Sequence, residues 1–303
     1  MVCIKKKSHD IIDFTKCLIE PSILTSILEK TKAYLIENNI SIYDELKHKG
    51  IFRAVMLRIT KLKEIMLVFV VTKKIDLMPL VLEINKSISL ASVYLSINDK
   101  KTNVVLSDNN ILIYGKKTIV EDILNHKFEV SPNTFLQVNN SQAEKLYSKA
   151  IEYLNPTKAD NIIDAYCGMG SITLSIAPYV NSIYGIEIVP SAIENAKKNA
   201  IANNINNAYF TCGKCEEEII NLINVKPITA MVFDPPRKGC DKVFLDTVKK
   251  AGIQRIVYIS CNIATCARDS LYLSDRYKVI EATPVDLFPR TSHVESIVLL
   301  ERK

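Results

Sequence analysis

No apolar run in this sequence approaches the roughly 18 uninterrupted residues that a membrane-spanning helix requires. The opening residues, Met1-Val2-Cys3-Ile4-Lys5-Lys6-Lys7, lack the apolar core of a signal peptide. The expectation is a cytoplasmic, monomeric protein with no membrane partner. Cysteine is sparse: eight in 303 residues, irregularly spaced, are too few for a disulfide framework, so reduced thiols are expected. With 48% hydrophobic against 24% charged residues, the disordered and collagen-like classes drop out. Internal repeats and low-complexity segments are also missing. The glycine turns include no Gly-Lys-Ser/Thr and no third glycine at dinucleotide spacing, which argues against triphosphate and dinucleotide sites. The single Cys-x-x-Cys, Cys212-Gly213-Lys214-Cys215, has no second pair at zinc spacing and no thioredoxin pattern around it, and reads as core and loop thiols.

The charge that is present is uneven. The net charge is +6, with 19 Lys plus Arg against 14 Asp plus Glu in residues 1–126 and 20 against 19 in residues 127–303. A modest positive field over the first part suits an anionic partner such as RNA, although solvated lysine faces produce the same count.

Residues 21–37 place Ile23, Ile27, Leu28, Ala33, Leu35 and Ile36 at helical intervals, which predicts one amphipathic helix. From Gly50 the period shortens. Residues 51–60 and 65–71 read as a hairpin, 78–88 as a helix, and 92–97, 103–106 and 111–114 as short strands, a small α+β unit with an antiparallel sheet over residues 1–125. After 126 strand and helix alternate: helix 141–154, strand 162–165, helix 171–178, strand 182–188, helix 190–203, strand 208–212, helix 216–223, strand 228–233, helix 242–251 and strand 255–260. Repeated βα units with short connections predict an α/β fold, a doubly wound and mostly parallel sheet. Residues 277–285 and 294–300 supply two more strands with only a loop between them, an antiparallel hairpin on one edge.

The stretch that organises the chain is Ile256-Val257-Tyr258-Ile259-Ser260-Cys261-Asn262, an apolar β-branched run that stops at Cys261. Such a run predicts a buried parallel strand, and the C-terminal ends of such strands are where open α/β sheets hold ligands. Residues 264–269 open a helix, so Cys261 is expected near a helix N-terminus, where the dipole stabilises a thiolate. Upstream, Asp164-Ala165-Tyr166-Cys167-Gly168-Met169-Gly170-Ser171 turns tightly after a strand, and the next strand ends in Gly185-Ile186-Glu187. A glycine turn followed by an acid at that place suits an adenosine-bearing cofactor whose ribose hydroxyls Glu187 accepts; S-adenosylmethionine fits better than a dinucleotide, and a purely structural turn is the alternative. In Asp234-Pro235-Pro236-Arg237-Lys238-Gly239 consecutive prolines fix an extended backbone that displays the Asp234 carboxylate, a rigid polar edge for a planar base or a plain strand-ending turn. Glu295 precedes the last apolar strand and is a candidate general base, with His293 the alternative.

With these residues laid out, residues 126–303 resemble the RNA 5-methyluridine methyltransferase family, which methylates uracil C5. The resemblance is carried by Phe135-Leu136-Gln137-Val138-Asn139, the Asp164–Gly170 turn, Asp234-Pro235-Pro236-Arg237-Lys238-Gly239, Ser260-Cys261-Asn262 with Ala267-Arg268-Asp269, and His293-Val294-Glu295. It implies a Rossmann-like S-adenosylmethionine methyltransferase domain in which Gln137, Tyr166, Gly168, Glu187 and Asp234 surround the cofactor, Cys261 is the nucleophile and Glu295 the base. It also implies an RNA partner, with residues 1–125 as a central domain in contact with it. Three departures stand out: Ile263 occupies the place where the family commonly has proline, the family's N-terminal RNA-binding barrel has no counterpart, and Ile11-Ile12-Asp13-Phe14-Thr15-Lys16-Cys17 resembles only the last ligand segment of an iron-sulfur cluster. No cluster is expected from Cys17 and Cys3 alone. The chain is expected to represent the central and catalytic parts of a longer protein, and ribosomal RNA is expected over transfer RNA from the Cys17 segment. Two rival readings are an amino-group methyltransferase that grips an exocyclic amine with Asp234-Pro235-Pro236 and an RNA-binding remnant that keeps the catalytic half only as a fold.

Overall fold

A computed structural model describes residues 22–102 and 104–303. Cys3, Cys17 and the segment around it lie outside these. The chain divides into two compact units, one running to Ile119 and including Ser131–Asn133, the other made of Val120–Val130 and Thr134–Lys303.

In the first unit, α1 (Ser22–Glu37) buries Ile27, Thr31 and Leu35. Leu28 and Ile36 are exposed, so the buried stripe is narrower than the apolar pattern implies. Thr31 is tolerated in it because its hydroxyl donates to the Ile27 carbonyl at 2.8 Å. Strands β1 (Phe52–Ile59), β2 (Ile65–Val71), β3 (Ser92–Ile97) and β4 (Asn110–Gly115) form a sheet in that order, with α2 (Met78–Asn85) between β2 and β3. The expected antiparallel sheet is in fact mixed. β2 and β3 pair in parallel because α2 carries the chain back to the starting edge, and β2, flanked on both sides, is buried at every residue. Residues 104–106 form no strand: Asn98 Nδ2 donates to the carbonyls of Val104 and Val105 at 2.7 and 2.9 Å, a side-chain substitute for a ladder.

The second unit opens with a hairpin absent from the sequence reading, β5 (Ile119–Ile123) and β6 (His126–Val130). Its turn residues Leu124 and Asn125 have φ of 48° and 65°, the left-handed pair that a two-residue hairpin demands. After it come α3 (Asn140–Leu154), β7 (Asn161–Ala165), α4 (Ser171–Ile176), β8 (Ser182–Glu187), α5 (Pro190–Ala202), β9 (Ala208–Cys212), α6 (Cys215–Val225), β10 (Ala230–Phe233), α7 (Lys242–Ala251), β11 (Arg255–Ser260), α8 (Ile263–Leu273), β12 (Tyr277–Val285) and β13 (Glu295–Arg302). The hairpin belongs with this unit because the end of α5 is stitched to it: Lys127 N–H donates to Asn203 Oδ1 at 2.7 Å, and Glu129 N–H to Asn199 Oδ1 at 3.0 Å. The division therefore falls about six residues before the expected boundary at 125.

The large sheet has the order β12-β13-β11-β10-β7-β8-β9. β7 to β11 are mutually parallel, while β13 runs antiparallel to both β11 and β12. Alternate residues feed two cores. Ile162, Val232, Val257 and Ile297 pack with Leu146 and Ala150 of α3, whereas Ile163, Met231, Ile256 and Val298 pack with Ile219 of α6 and Val248 of α7. Burial on both faces is what the continuous apolar runs encode. The chain leaves β7 toward β8 and β9, then returns to the other side of β7 as β10, so the order reverses between β7 and β10. A crevice at the C-terminal strand ends is expected at such a reversal.

Candidate active site

At the end of β7 the backbone turns through three left-handed residues, Tyr166 (φ 63°), Gly168 (φ 55°) and Gly170 (φ 85°). A Cβ on Gly168 would meet nothing within 4 Å, so this glycine serves the turn and leaves open space beside it. Glu187, at the end of β8, accepts from Gly168 N–H at 3.3 Å and Val189 N–H at 3.0 Å. Each of its oxygens keeps a free lone pair, so the carboxylate is fixed in place and still able to accept from a diol. Gly185 is required beneath it, since any Cβ there would lie 2.7 Å from the Phe210 ring and 2.9 Å from Cys167 Sγ. The side chain of Tyr166 packs its ring on Phe244 of α7, 5.2 Å between centroids, so what the residue offers the turn is strained backbone.

Asp164 is wholly buried in β7. Thr173 Oγ1 donates to its Oδ2 at 2.5 Å, and Oδ1 is buried with no hydrogen-bond partner. Burial pushes its carboxyl up to about 7, against the Thr173 hydrogen bond. An orphaned acceptor beside an open glycine turn, next to a fixed carboxylate, fits a cationic ligand with a sugar diol.

Asp234 follows β10 directly. Burial first, then the nearby carboxylates Glu295 and Asp164, raise it to about 8. Glu295 opens β13 at 3% exposure, and burial raises its pKa as well. The last pair of the β11·β13 ladder is Ser260↔Ser296, which puts Cys261 and Glu295 one step further along the same register. After burial, the Glu295 charge is one of the causes that raise the thiol's pKa. Cys261 is half-buried, and its pKa is raised by burial, then by Glu295 and Asp234, with its own backbone hydrogen bond and Arg237 opposing.

That direction corrects one expectation. Cys261 does lie next to a helix start: Asn262 caps α8, its side chain accepting from Ala264 N–H at 3.0 Å. Yet burial first, then the Glu295 and Asp234 carboxyls, raise the thiol's pKa rather than lower it. The Asn262 side chain also donates to the Arg237 carbonyl at 3.4 Å, and Ser260 Oγ accepts from Asn262 N–H at 3.2 Å, so the loop bearing Cys261 is tied to the loop bearing Asp234.

The structure thus gathers Asp164, Gly168, Glu187, Asp234, Cys261 and Glu295 at one end of the sheet. Gln137 is half-buried in the connection entering α3, flanked by Phe135 and Val138 at 78% exposure each. His293 is exposed, with Nδ1 at 3.5 Å from Arg237 Nη2, on the lip rather than in the interior. Cys212 is exposed while Cys215, the first residue of α6, is buried in the core beneath the sheet, two separate environments. Sequence reading missed two buried residues that hold the loops, Asn199 and Tyr147, and quoted Asp269 only as part of a motif. Asn199 Nδ2 donates to the Met169 carbonyl at 3.1 Å within the glycine turn, and Tyr147 OH lies 3.3 Å from Ser171 Oγ. A polar residue on the apolar face of a predicted helix, such as Asn199 among Ile193, Ala196 and Ala200, was the available signal.

A seven-stranded sheet of this order, with a glycine turn after its first parallel strand and an acid ending the second, is the Rossmann-like methyltransferase fold. The model of the tRNA (uracil-5-)-methyltransferase family matches residues 82–303, and the chain belongs to that family. The match begins well before residue 126, where the sequence resemblance started. An RNA methyltransferase of Staphylococcus aureus (strain MSSA476) is 43% identical over 305 residues, covering 99% of this chain and 67% of the relative. One of Staphylococcus epidermidis (strain ATCC 12228 / FDA PCI 1200) is 39% identical over 305 residues, with the same coverages. Among solved structures, the Pyrococcus abyssi tRNA (uracil-54, C5)-methyltransferase in complex with S-adenosyl-L-homocysteine superposes with a TM-score of 0.82 at 28% identity, covering 98% of this chain and 71% of that one.

Proposed function

We propose that the protein transfers a methyl group from S-adenosylmethionine to C5 of a uracil in RNA, through a covalent bond between Cys261 and C6. The observation that carries this reading is the convergence of the half-buried Cys261 thiol, the Asp234 carboxyl and the buried carboxyl of Glu295 at the strand ends beside the glycine turn.

Glu187 would accept from the ribose hydroxyls, and the Asp164 and Asp234 end of the crevice would face the cationic part of the cofactor. When bound, the cofactor supplies an electrophilic methyl on a sulfonium. Uracil C5 is a weak nucleophile; Cys261 gives its proton to solvent and adds as a thiolate at C6, which turns the ring into an enolate whose C5 takes that methyl as its bond to sulfur breaks. Asp234 suits the imide edge in its neutral form: its carbonyl oxygen accepts from N3–H while its hydroxyl donates to the ring oxygen that becomes the enolate. Glu295 then removes the C5 proton, and the electron pair of that C–H bond re-forms C5=C6 and expels the Cys261 thiolate. Burial raises the Glu295 pKa, which makes its carboxylate a stronger base for this step. The uracil has to leave its stack or be presented single-stranded to reach the strand ends.

Ribosomal RNA is the proposed substrate, supported by the likeness of Ile11–Cys17 to the ribosomal branch. The test is incubation with 5-fluorouridine RNA, which cannot lose its C5 substituent as a proton and so arrests the covalent intermediate. A slow-migrating adduct is expected from the native protein and none from Cys261→Ala. An adduct that survives Cys261→Ala refutes the assignment, and a Cys261→Ala protein that still methylates supports the amino-group alternative. Parallel assays on ribosomal and transfer RNA transcripts decide the substrate class.

A further inference from the structure

One buried carboxylate does no chemistry in this scheme and yet holds both the loop after β10 and the strand that ends at Cys261. Asp269 lies in the middle of α8 with no exposure. Its Oδ2 accepts from Cys240 N–H at 2.9 Å and from Tyr258 OH at 2.8 Å, and its Oδ1 from Arg268 Nε at 2.8 Å. Arg268 Nη2 reaches onward to the carbonyls of Lys238 at 3.0 Å and Cys240 at 3.4 Å. The loop that begins at Asp234 and Arg237 is therefore bolted at its far end, residues 238–240, to α8. Tyr258, three residues before Cys261 on β11, is bolted to the same oxygen. Gly239 is what lets the carboxylate in. With φ of 77°, any Cβ there would sit 2.6 Å from both Arg268 Nη2 and Asp269 Oδ2. The motif Gly239 plus Arg268-Asp269, far apart in sequence, is one device.

We infer that Asp269, with Arg268 and Tyr258, is a positioning residue that sets the distance between the Asp234–Arg237 loop and Cys261, and so decides which groups face the thiol. This inference deepens the proposed function and rests on it for the catalytic readout alone. The groups facing Cys261 are Glu295 from β13 and Asp234 and Arg237 from the loop after β10. Those facing Asp269 are Arg268 from α8, Tyr258 from β11 and Cys240 from the loop, with Cys266 one helical turn away. If the bolt is loosened, the loop moves off Cys261 and the thiol is wetted. Burial is the largest cause of its raised pKa, so the thiol should ionise at lower pH even though Arg237 recedes as well. The two consequences point in opposite directions: the thiol becomes more reactive toward a small electrophile and less effective toward a ring that must be held in register.

The experiment compares the full chain with Tyr258→Phe, Asp269→Asn and Gly239→Ala. The rate of iodoacetamide alkylation at the peptide containing Cys261 is followed by mass spectrometry from pH 6 to 9, alongside adduct formation with 5-fluorouridine RNA. Tyr258→Phe keeps the core filled and removes one donor, so it reports even if Asp269→Asn folds poorly. For folded variants, alkylation at neutral pH should rise roughly 3- to 10-fold with its midpoint moved to lower pH, and adduct formation should fall by on the order of 10- to 100-fold. The losses for Gly239→Ala and Tyr258→Phe should combine to less than their product, because both act through one joint. An unchanged alkylation midpoint in Tyr258→Phe and Gly239→Ala overturns the inference. If the native protein forms no adduct while the midpoint shift appears, the uracil reading fails and the positioning role stands.

Discussion

Glu295 and Cys261 sit one rung past the end of a shared ladder, and their proximity makes each a probe of the other. Replacing Glu295 by Gln removes the negative neighbour that disfavours the thiolate, so the Cys261 midpoint should move to lower pH and alkylation at neutral pH should increase several-fold. Methyl transfer should collapse at the same time, with the covalent adduct accumulating on ordinary uridine RNA because the C5 proton has lost its acceptor. Alkylation that is unchanged in Glu295→Gln would show that the carboxylate does not face the sulfur. At this scale the residues that the structure gathers at one end of the sheet were legible: Cys261, Asp234 and Glu295 each terminate or open an apolar run, and such breaks are visible in one dimension. The ionisation state of Cys261 was not. It depends on two carboxylates brought in from β10 and β13, at a distance in sequence that no helix-start argument takes into account.

Among the elements, α5 links scaffold and site. Asn199, fully buried on its inner face, donates to Met169 in the glycine turn and accepts from Glu129 on β6. Asn199→Ala strands the buried Met169 carbonyl and removes the acceptor of the Glu129 N–H, which should cost about 1–3 kcal/mol in urea unfolding. Cofactor affinity should drop with it, since the turn loses its outer support; unaltered affinity in a folded variant would confine Asn199 to stability. The βα alternation and the edge hairpin of the large sheet were readable from periodicity, because strands buried on both faces write unbroken apolar runs. The β5·β6 hairpin was overlooked even though Ile119, Glu121 and Ile123 alternate with half-buried neighbours, and Phe128 and Val130 do the same across the turn. Its turn, Leu124-Asn125, lacks the glycine that usually marks such a bend. The mixed sheet of the first unit was hidden for another reason: α2 is only eight residues long, short enough to be taken for an interlude between antiparallel strands.

For the molecule as a whole, Asp164 and Asp234 predict how stability varies with pH. Both titrate in the folded chain, at about 7 and about 8, well above the usual carboxylate value near 4, so the folded state holds protons that the unfolded state releases. Their contribution is full below about pH 4 and is lost as pH rises to 7 or 8. The unfolding free energy of the apo protein should accordingly decline across that window, by up to on the order of 4 kcal/mol for Asp164. Asp164→Asn should flatten the decline while keeping an acceptor for the Thr173 hydroxyl. Denaturation series at several pH values check this, and an Asn variant with the native slope would count against it. A cationic cofactor should reverse part of the trend by drawing the Asp164 proton off, so its affinity should rise between pH 6 and 8.

The antiparallel seating of β13 has a consequence for how tolerant this chain is to length changes. Side chains alternate along a strand, so deleting or adding one residue between Glu295 and Leu300 would invert the carboxylate to the opposite side of the sheet while the hydrophobic core tried to keep its own phase. Insertions in the loop before Glu295, at residues 286–294, carry no such penalty. Natural variation in this enzyme should therefore concentrate its indels there and spare the strand.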